Sequence, residues 1–463
     1  MAQTAICKIT GKKFIISDQD IEFYNKLNVP LPTLCPEERA RRRFAFRNER
    51  NLYTNKSAIS EQPLLSNLHP DLNLKVYSPE EWWSDQWDGV NFEEDYDFNK
   101  PFFEQFTELQ KEIPMVSLHI TNNENCPFAN YVGESKNCYM IFGSVYSEDC
   151  YYGSPYYCKQ CIDTLLTRNS ELCYECITCE HCYHCFYCQD CVNSQDIIYC
   201  YDCRRCSNCI GCAGLRNQKY CIFNKQYSQQ DYEELKKKLD LSYSKNHKQI
   251  IEEFNKVKLN IPHRDMVSVN VEDCSGNYLY ESKNTQNSFD SKRCHDCSYL
   301  AQTIDMKDCY DCNYTEENEL CLDYIGYYKN NRCLYSQMLF GSNDIYYSAY
   351  CMSSKNLFGC IGLQHKEYCI LNKQYKKEEY NELVPRIIEH MKQTCEFGEF
   401  FPISVSPYCY NETVAQEYFP LSKEEAIQRG YKWRNKDQSK YQKQIYDIPP
   451  NIHDVPDSIT TEI

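Results

Sequence analysis

Seven cysteines, Cys173, Cys176, Cys179, Cys182, Cys185, Cys188 and Cys191, follow one another at intervals of three residues. Overlapping C-x-x-C pairs usually signal zinc or an iron–sulfur cluster, because two thiolates at that spacing can share one metal. His181 and His184 lie inside the run and would join such a site only by turning toward the thiols. A different chemistry is offered by Arg39, Arg41, Arg42, Arg43, Arg47 and Arg50, six arginines in twelve residues interleaved with Phe44 and Phe46. That pattern can grip the phosphate backbone of a nucleic acid. It can equally be neutralised inside the chain, whose net charge is −16 and whose acidic stretches include Glu93, Glu94 and Asp95. A third candidate is the carboxylate pair Asp311 and Asp323, with Asp163 and Glu175 at equivalent places 148 residues earlier. Stacked at a strand spacing of about 5 Å, such a pair could hold a cation or work as acid and base. The plain alternative is a pair of solvated turn residues.

The phase of the cysteines narrows the choice. Of the 32 cysteines, 28 lie between Cys126 and Cys369; all fifteen from Cys158 to Cys221 sit at multiples of three, as do the nine from Cys294 to Cys369. A slower beat of twelve runs through Thr285, Cys297, Cys309, Cys321, Cys333, Ile345, Leu357 and Cys369, and through Cys161, Cys173, Cys185, Ile197, Cys209 and Cys221. The run YCIFNKQY from Tyr220 returns as YCILNKQY from Tyr368. Self-similarity at a fixed period marks a solenoid. Helical faces would mix spacings of three and four, and a plain strand would show two. Strict threes fit a four-sided coil with three residues per side, one of them inward, around a bore too narrow for large side chains. Ile197, Leu357 and Thr285 keep the beat as well as any cysteine, so the inward slots select size rather than coordination. Free cysteine is a small buried hydrophobe. The thiols from Cys173 to Cys191 therefore read first as core and second as ligands for zinc or another soft metal. A thiol in an apolar bore is also a poor nucleophile.

Outside the bore, one residue beyond the constant inward position, runs a stripe of Tyr139, Tyr151, Ile162, Tyr174, Phe186, Ile198, Ile210 and Ile222. It is too large to leave wet. Tyr139, Tyr151, Tyr174 and Phe186 are accordingly expected to meet the other coil, the connector, a second subunit or a protein partner.

Composition sets the remaining bounds. The chain has 463 residues and an acidic balance, which disfavours duplex nucleic acid across the whole surface but not at a local patch. The opening MAQTAICKITGKKF lacks an apolar leader core, and no run of 18 apolar residues follows. A cytoplasmic protein with reduced thiols and no membrane contact is expected.

The predicted fold is mainly β: two narrow β-solenoids with twelve-residue turns and a cysteine-rich interior, α-helical caps and small α+β end modules. Residues 1–53 form a basic module in which Pro36 opens a helix carrying the arginines. Residues 54–125 form a Trp- and Phe-rich connector expected to cover the first coil. The first solenoid spans 126–227, a helical cap and linker 228–269, the second solenoid 270–374 and its helical cap 375–394. A C-terminal module occupies 395–435, and a loose tail 436–463.

In its inward Cys and Ser at threes, the coil resembles the twelve-residue coils of beetle antifreeze proteins. The outward stripe is aromatic rather than a flat threonine array, so ice binding is not expected. The segments CKITGKKFIISDQDIEFYNKLNVPLPTLCPEERARRRFAFRNERNLY, WWSDQWDG, DFNKPFFEQF and GEFFPISVSPYCYNETVAQEYFP resemble an uncharacterised cysteine-rich family of candidate-phyla bacteria. That resemblance implies a zinc-ribbon-like N-terminus, whose usual C-x-x-C and C-P-x-C pairs would make Cys7 and Cys35 zinc ligands. The pattern is degenerate: Thr10 and Glu38 stand where the second thiol of each pair belongs, and structural zinc wants four N or S ligands.

The functional expectation is a non-catalytic repeat scaffold or protein-interaction protein without a cofactor. A thiol-rich zinc or soft-metal protein, and nucleic-acid binding through the arginine helix, stand as alternatives.

Overall fold

The computed structural model describes residues 1–165, 167–177, 183–323, 325–435 and 447–456. The chain divides into two compact units, one of Met1–Ser117 with Arg264–Arg434 and the other of Leu118–His263 with Asn435–Ile463. Large, mostly parallel sheets dominate, with few helices.

The first unit opens with an antiparallel hairpin, β1 (Gln3–Ile6) and β2 (Lys13–Ile16), followed by α1 (Asp18–Leu27) and α2 (Pro36–Phe44). Ser17 and Asp20 close a capping box on α1. Pro36 at the first position of α2, with Glu37 and Glu38 in its first turn, suits the positive end of the helix. The helix stops at Phe44, so Arg47 and Arg50 lie beyond it, contrary to the sequence expectation. A second hairpin, β3 (Tyr53–Lys56) and β4 (Pro63–Ser66), precedes the short α3 (Pro79–Trp82) and then α4 (Phe102–Glu112).

Two long ladders follow. The first is an eleven-stranded sheet in the second unit, from Ile120–Thr121 to Lys225–Gln226. The second is a thirteen-stranded sheet in the first unit, from Ser268–Val269 to Lys373–Gln374. Their registers step by twelve residues, apart from eleven-residue steps at Tyr151–Ile162 and Ser268–Leu279: Cys173 pairs with Cys185, Cys185 with Ile197, Ile197 with Cys209 and Cys209 with Cys221, all parallel. In the second ladder Cys333 pairs with Ile345, Ile345 with Leu357 and Leu357 with Cys369. Isolated bridges repeat the step elsewhere in the turn, as at Gln189–Tyr201 and Val192–Arg204.

The backbone shows why the period is three. From Tyr187 to Phe223 every third residue has a positive φ, and the same holds from Glu317 to Leu371. Each such corner sits immediately before an inward residue: Asn193 (φ 49°) before Ser194, Asp196 (51°) before Ile197, Asp202 (47°) before Cys203. A left-handed non-glycine residue costs about 1–2 kcal/mol, least for Asn and Asp, whose short polar side chains tolerate it. Interstrand hydrogen bonds offset the cost, such as Arg205 N–H to the Val192 carbonyl and Asn217 N–H to the Arg204 carbonyl, both at 3.0 Å. Corner side chains also link successive turns: Asn125 Nδ2 donates to Asn137 Oδ1, and Asn137 Nδ2 to Asp149 Oδ1.

Inward residues are buried almost without exception. An inward thiol donates to a carbonyl two residues back or nine ahead, as Cys188 does to Phe186 (3.2 Å) and Ile197 (3.5 Å). Inward serines donate in the same way and also accept from the backbone N–H twelve residues on; Ser194 takes Cys206 N–H and Ser348 takes Cys360 N–H. At the last turns, Asn224 and Asn372 use their amides to pair the backbone of Ala213 and Ile361, occupying the exposed edge. Each ladder then folds back in a short antiparallel pair. Helices α5 (Gln229–Leu239) and α6 (Ser244–Leu259) follow the first ladder, and α7 (Lys377–Gln393) follows the second.

The corner geometry is testable. Replacing Asn193 with valine should lower stability by about 1–2 kcal/mol. Asn193→Gly should stay within a few tenths of a kcal/mol, because glycine adopts the left-handed region freely. Urea unfolding midpoints of the two variants would read the difference.

Candidate functional site

The carboxylate pair of the second ladder is where the strongest side-chain chemistry converges. Asp311 and Asp323 occupy corners one turn apart, with φ of 63° and 50°. Both are buried, and α2 lies against them: Arg39 Nε donates to Asp311 Oδ2 at 2.7 Å, and Arg43 Nη1 reaches Asp323 Oδ1 at 2.8 Å and Asp311 Oδ1 at 3.2 Å. Arg43 Nε also donates to Asn313 Oδ1 at 2.6 Å. Residues 39 and 43 are four apart and so share one face of the helix, matching two corners one strand spacing apart. Around the pair, Phe23 stacks on Tyr310 with centroids 3.8 Å apart, and the Arg39 guanidinium lies 4.9 Å from the Tyr299 ring centre. Burial, reinforced by Asp311, pushes the Asp323 carboxyl up to about 6, against the pull of Arg43, Arg39 and Arg42. Burial works against charge on Arg39 as well, but Asp311, Tyr24 and Asp323 together outweigh it and hold the guanidinium firmly protonated. The pair is therefore neither solvated nor open to a cation: it is a socket for arginine.

The other arginines also face carboxylates. Arg41 pairs with Glu38, Arg42 with Glu399 at 3.0 Å, Arg47 with Glu49 at 2.5 Å and Arg50 with Glu417 at 3.4 Å. A phosphate backbone would have to displace all of these, and Arg39 and Arg43 are buried besides.

Further along the same ladder, Phe102 packs edge-on to Tyr347 and Phe358, and Trp82 lies 6.4 Å from Tyr350. Corners without a Cβ admit these rings; a Cβ at Gly359 would come within 2.8 Å of the Phe102 ring, and one at Gly362 within 3.0 Å of Trp87. The connector aromatics thus cover the second ladder, whereas the sequence pointed to the first.

The first ladder carries the same face with a different cover. Its last turns bury Tyr199, Ile210 and Ile222 against Tyr232 of α5 and Ile250 of α6, and Tyr199 Oη meets His247 Nδ1 at 2.7 Å. Earlier turns are open. Of the expected interaction stripe, Tyr139 and Tyr174 are half-buried, while Tyr151 and Phe186 are each 42 % exposed. Asp163 and Glu175, at the places of Asp311 and Asp323, are exposed corners with φ of 52° and 48°.

Among the thiols, Cys173, Cys176, Cys185, Cys188 and Cys191 are buried in the first ladder without disulfides; Cys179, Cys182 and His181 lie outside the described residues. Among the described residues no group of three or more His, Cys, Asp or Glu is placed to hold a metal ion. Cys7 and Cys35 do come together, beside Leu34 and Phe14. Burial raises the Cys7 thiol, but hydrogen bonds from Thr10 and from nearby backbone bring it down to about 7, while burial raises Cys35. The remaining positions of a four-ligand set are lost, since Thr10 Oγ1 accepts from Lys12 N–H and Glu38 pairs with Arg41. These residues do not fit structural zinc.

The hairpin β3–β4 repeats this arrangement, which sequence reading missed. Cys7 N–H bonds the Lys12 carbonyl and Gly11 N–H the Cys7 carbonyl; Ser57 N–H and Glu61 N–H repeat both bonds with Gln62 and Ser57. Cys35 caps α2 before Pro36, and Ser78 caps α3 before Pro79. In the copy, Glu81 fills the centre, accepting from Ser57 Oγ at 2.6 Å and Ser78 N–H at 2.9 Å. The usable signal was CPEE at Cys35 against SPEE at Ser78.

The sequence matches no protein-family model and no curated protein. Among solved structures, a chain from Desulfovibrio desulfuricans G20 described as a "putative acetyltransferase" aligns at 8 % identity over 56 % of this chain and 71 % of that one, with a TM-score of 0.11. A similarity that low carries no argument about fold or activity.

Removing Arg43 should be costly, because it strands the buried Asp323 carboxyl and leaves Asp311 with Arg39 alone: Arg43→Ala is expected to destabilise by about 3–5 kcal/mol, and Arg50→Ala, at an exposed pair, by less than about 1 kcal/mol. The Asp323 carboxyl, raised from 3.8 to about 6, favours the folded state most when protonated. Its contribution is full below pH 3.8 and lost as pH rises through about 6. The unfolding midpoint should therefore fall across that window, and Asp323→Asn should flatten the fall. Urea titrations at a series of pH values measure both.

Proposed function

We propose that this protein is a non-catalytic repeat scaffold that docks other proteins on the outer face of its first ladder. One observation carries the reading: two copies of a face, one covered by its own chain and one left open. On the second ladder, Tyr310 is buried under Phe23 of α1, and Leu322 and Leu334, bridged in succession to it, are buried as well. Their counterparts Ile162, Tyr174 and Phe186 are exposed or half-buried, and Tyr151, Tyr152, Leu165 and Ile177 extend the open area. Contiguous apolar surface of this kind marks an interaction site. The buried thiols, many of them bonded to backbone carbonyls as Cys188, Cys200 and Cys203 are, support a structural role for the cysteines rather than a catalytic or metal-carrying one.

Each ladder is read as one wall of a closed twelve-residue β-solenoid. The repetition of the twelve-residue step at several points of each turn, with left-handed corners between them, supports this. The thirty cysteines among the described residues, all free thiols, support a reducing, cytoplasmic setting.

Proximity labelling in the native cell tests the scaffold role. The wild-type chain should label a defined set of proteins, and Tyr151→Ser/Ile162→Ser/Phe186→Ser should lose it; equal labelling by both would end the docking reading. Elemental analysis of the purified protein should find less than one metal atom per chain, and several tightly held zinc, iron or copper atoms would restore the metal-binding alternative.

A further inference from the structure

We infer that the open face of the first ladder is a receptor for an arginine-bearing helix of a partner protein, one that presents two arginines four residues apart beside an aromatic side chain. The inference rests on the docking reading above and names the chemistry of the partner.

The second ladder shows what its face is built to receive. There, corners Asp311 and Asp323 take Arg39 and Arg43 from a single helix face, and Phe23 lies flat on Tyr310. In the first ladder the same corners, 148 residues earlier, are Asp163 and Glu175, again acidic and again left-handed. They flank Ile162 and Tyr174, which pair across adjacent strands. Tyr152, a corner one turn earlier, corresponds to Tyr299, the ring beneath Arg39. Among the described residues neither Asp163 nor Glu175 has a side-chain ion pair, and both are exposed. The face thus combines two unpaired carboxylates at strand spacing with an apolar floor, and charge complementarity selects a cation-bearing helix over a neutral or acidic one.

The occupant is not a perfect copy of α2. Where Asn313 accepts from Arg43 in the second ladder, the first has the exposed Leu165. The second arginine of the partner helix would therefore find no acceptor for its Nε there, and an apolar residue beside it would suit Leu165. The chain's own α2 is already engaged, with Arg39 and Arg43 buried, so the ligand comes from another protein.

The probe is a fluorescent, lactam-stapled peptide of residues 35–47 with Cys35→Ser, titrated into the full-length protein and followed by anisotropy. Stapling matters because a free helix this short is marginal in water. Saturable binding is expected, weakening at least tenfold for the protein variant Asp163→Asn/Glu175→Gln and equally for the peptide with Arg39→Ala and Arg43→Ala. Both protein positions are exposed corners, so circular dichroism should show an unchanged fold. No binding up to about 1 mM, or binding indifferent to both changes, overturns the inference; the second result would place the peptide elsewhere, for instance on the second ladder by displacement of α2. Sedimentation at the assay concentrations gives the remaining outcome: a dimer dispersed by Phe186→Ser but not by the peptide would put a second copy on this face, and would also overturn it. If proximity labelling depends on the face while the peptide fails to bind, the arginine chemistry alone is wrong. If labelling never depended on the face, the scaffold reading itself falls.

Discussion

A left-handed residue at every third position is the constraint on which the rest of this protein depends. Each such corner turns the chain after only three residues, so a single side chain per side can point inward. The space left for it is small, and the sequence answers with cysteine, serine and an occasional isoleucine or leucine. Cysteine suits the slot because its thiol fills volume like a methyl group and still donates a weak hydrogen bond to a carbonyl two residues back or nine ahead. Serine suits it because one hydroxyl donates to its own turn and accepts from the next. What looks like a metalloprotein composition is thus the consequence of backbone geometry.

The same corners also decide what lies outside. A side chain at a corner projects away from the ladder, and a residue twelve positions on projects beside it. Acidic corners one turn apart become a pair of carboxylates at a fixed spacing, which a helix can match with residues four apart. In the second ladder that match is made within the chain, through buried pairs whose desolvation is expensive unless the geometry is good. The pairs specify where the N-terminal helices sit as much as they hold them there.

The register was readable from Cys297, Cys309, Cys321 and Cys333 because inward slots tolerate so few residue types that the period survives in the sequence. The helix starts at Pro36, Ser228 and Ser422 were readable for the same reason, since few residues can cap a helix. The corners were less visible, because Asn, Asp or Gly stands at only some of them, and Tyr199, Arg205, Leu320 and Tyr335 hold the same backbone conformation. The arginine socket was not readable. Its halves, the helix at Arg39 and the carboxylates at Asp311 and Asp323, were each identified, yet 272 residues separate the donor from its acceptor and no local pattern links them. The second hairpin escaped because Ser57 and Ser78 stand where the first has Cys7 and Cys35.

That separation sets an order of events during synthesis. A ladder turn needs residues only twelve positions away and can form as the chain emerges, sealing its thiols within about one to two seconds at roughly 5–20 residues per second. Helix α2 must wait far longer. Until Asp323 has left the ribosome, about fifteen seconds to a minute later at the same rate, the two guanidiniums of its inner face have no buried acceptor. A segment made 272 residues before its acceptor finds its place late, and through that interval its arginines are exposed cations that the cell must keep from pairing elsewhere.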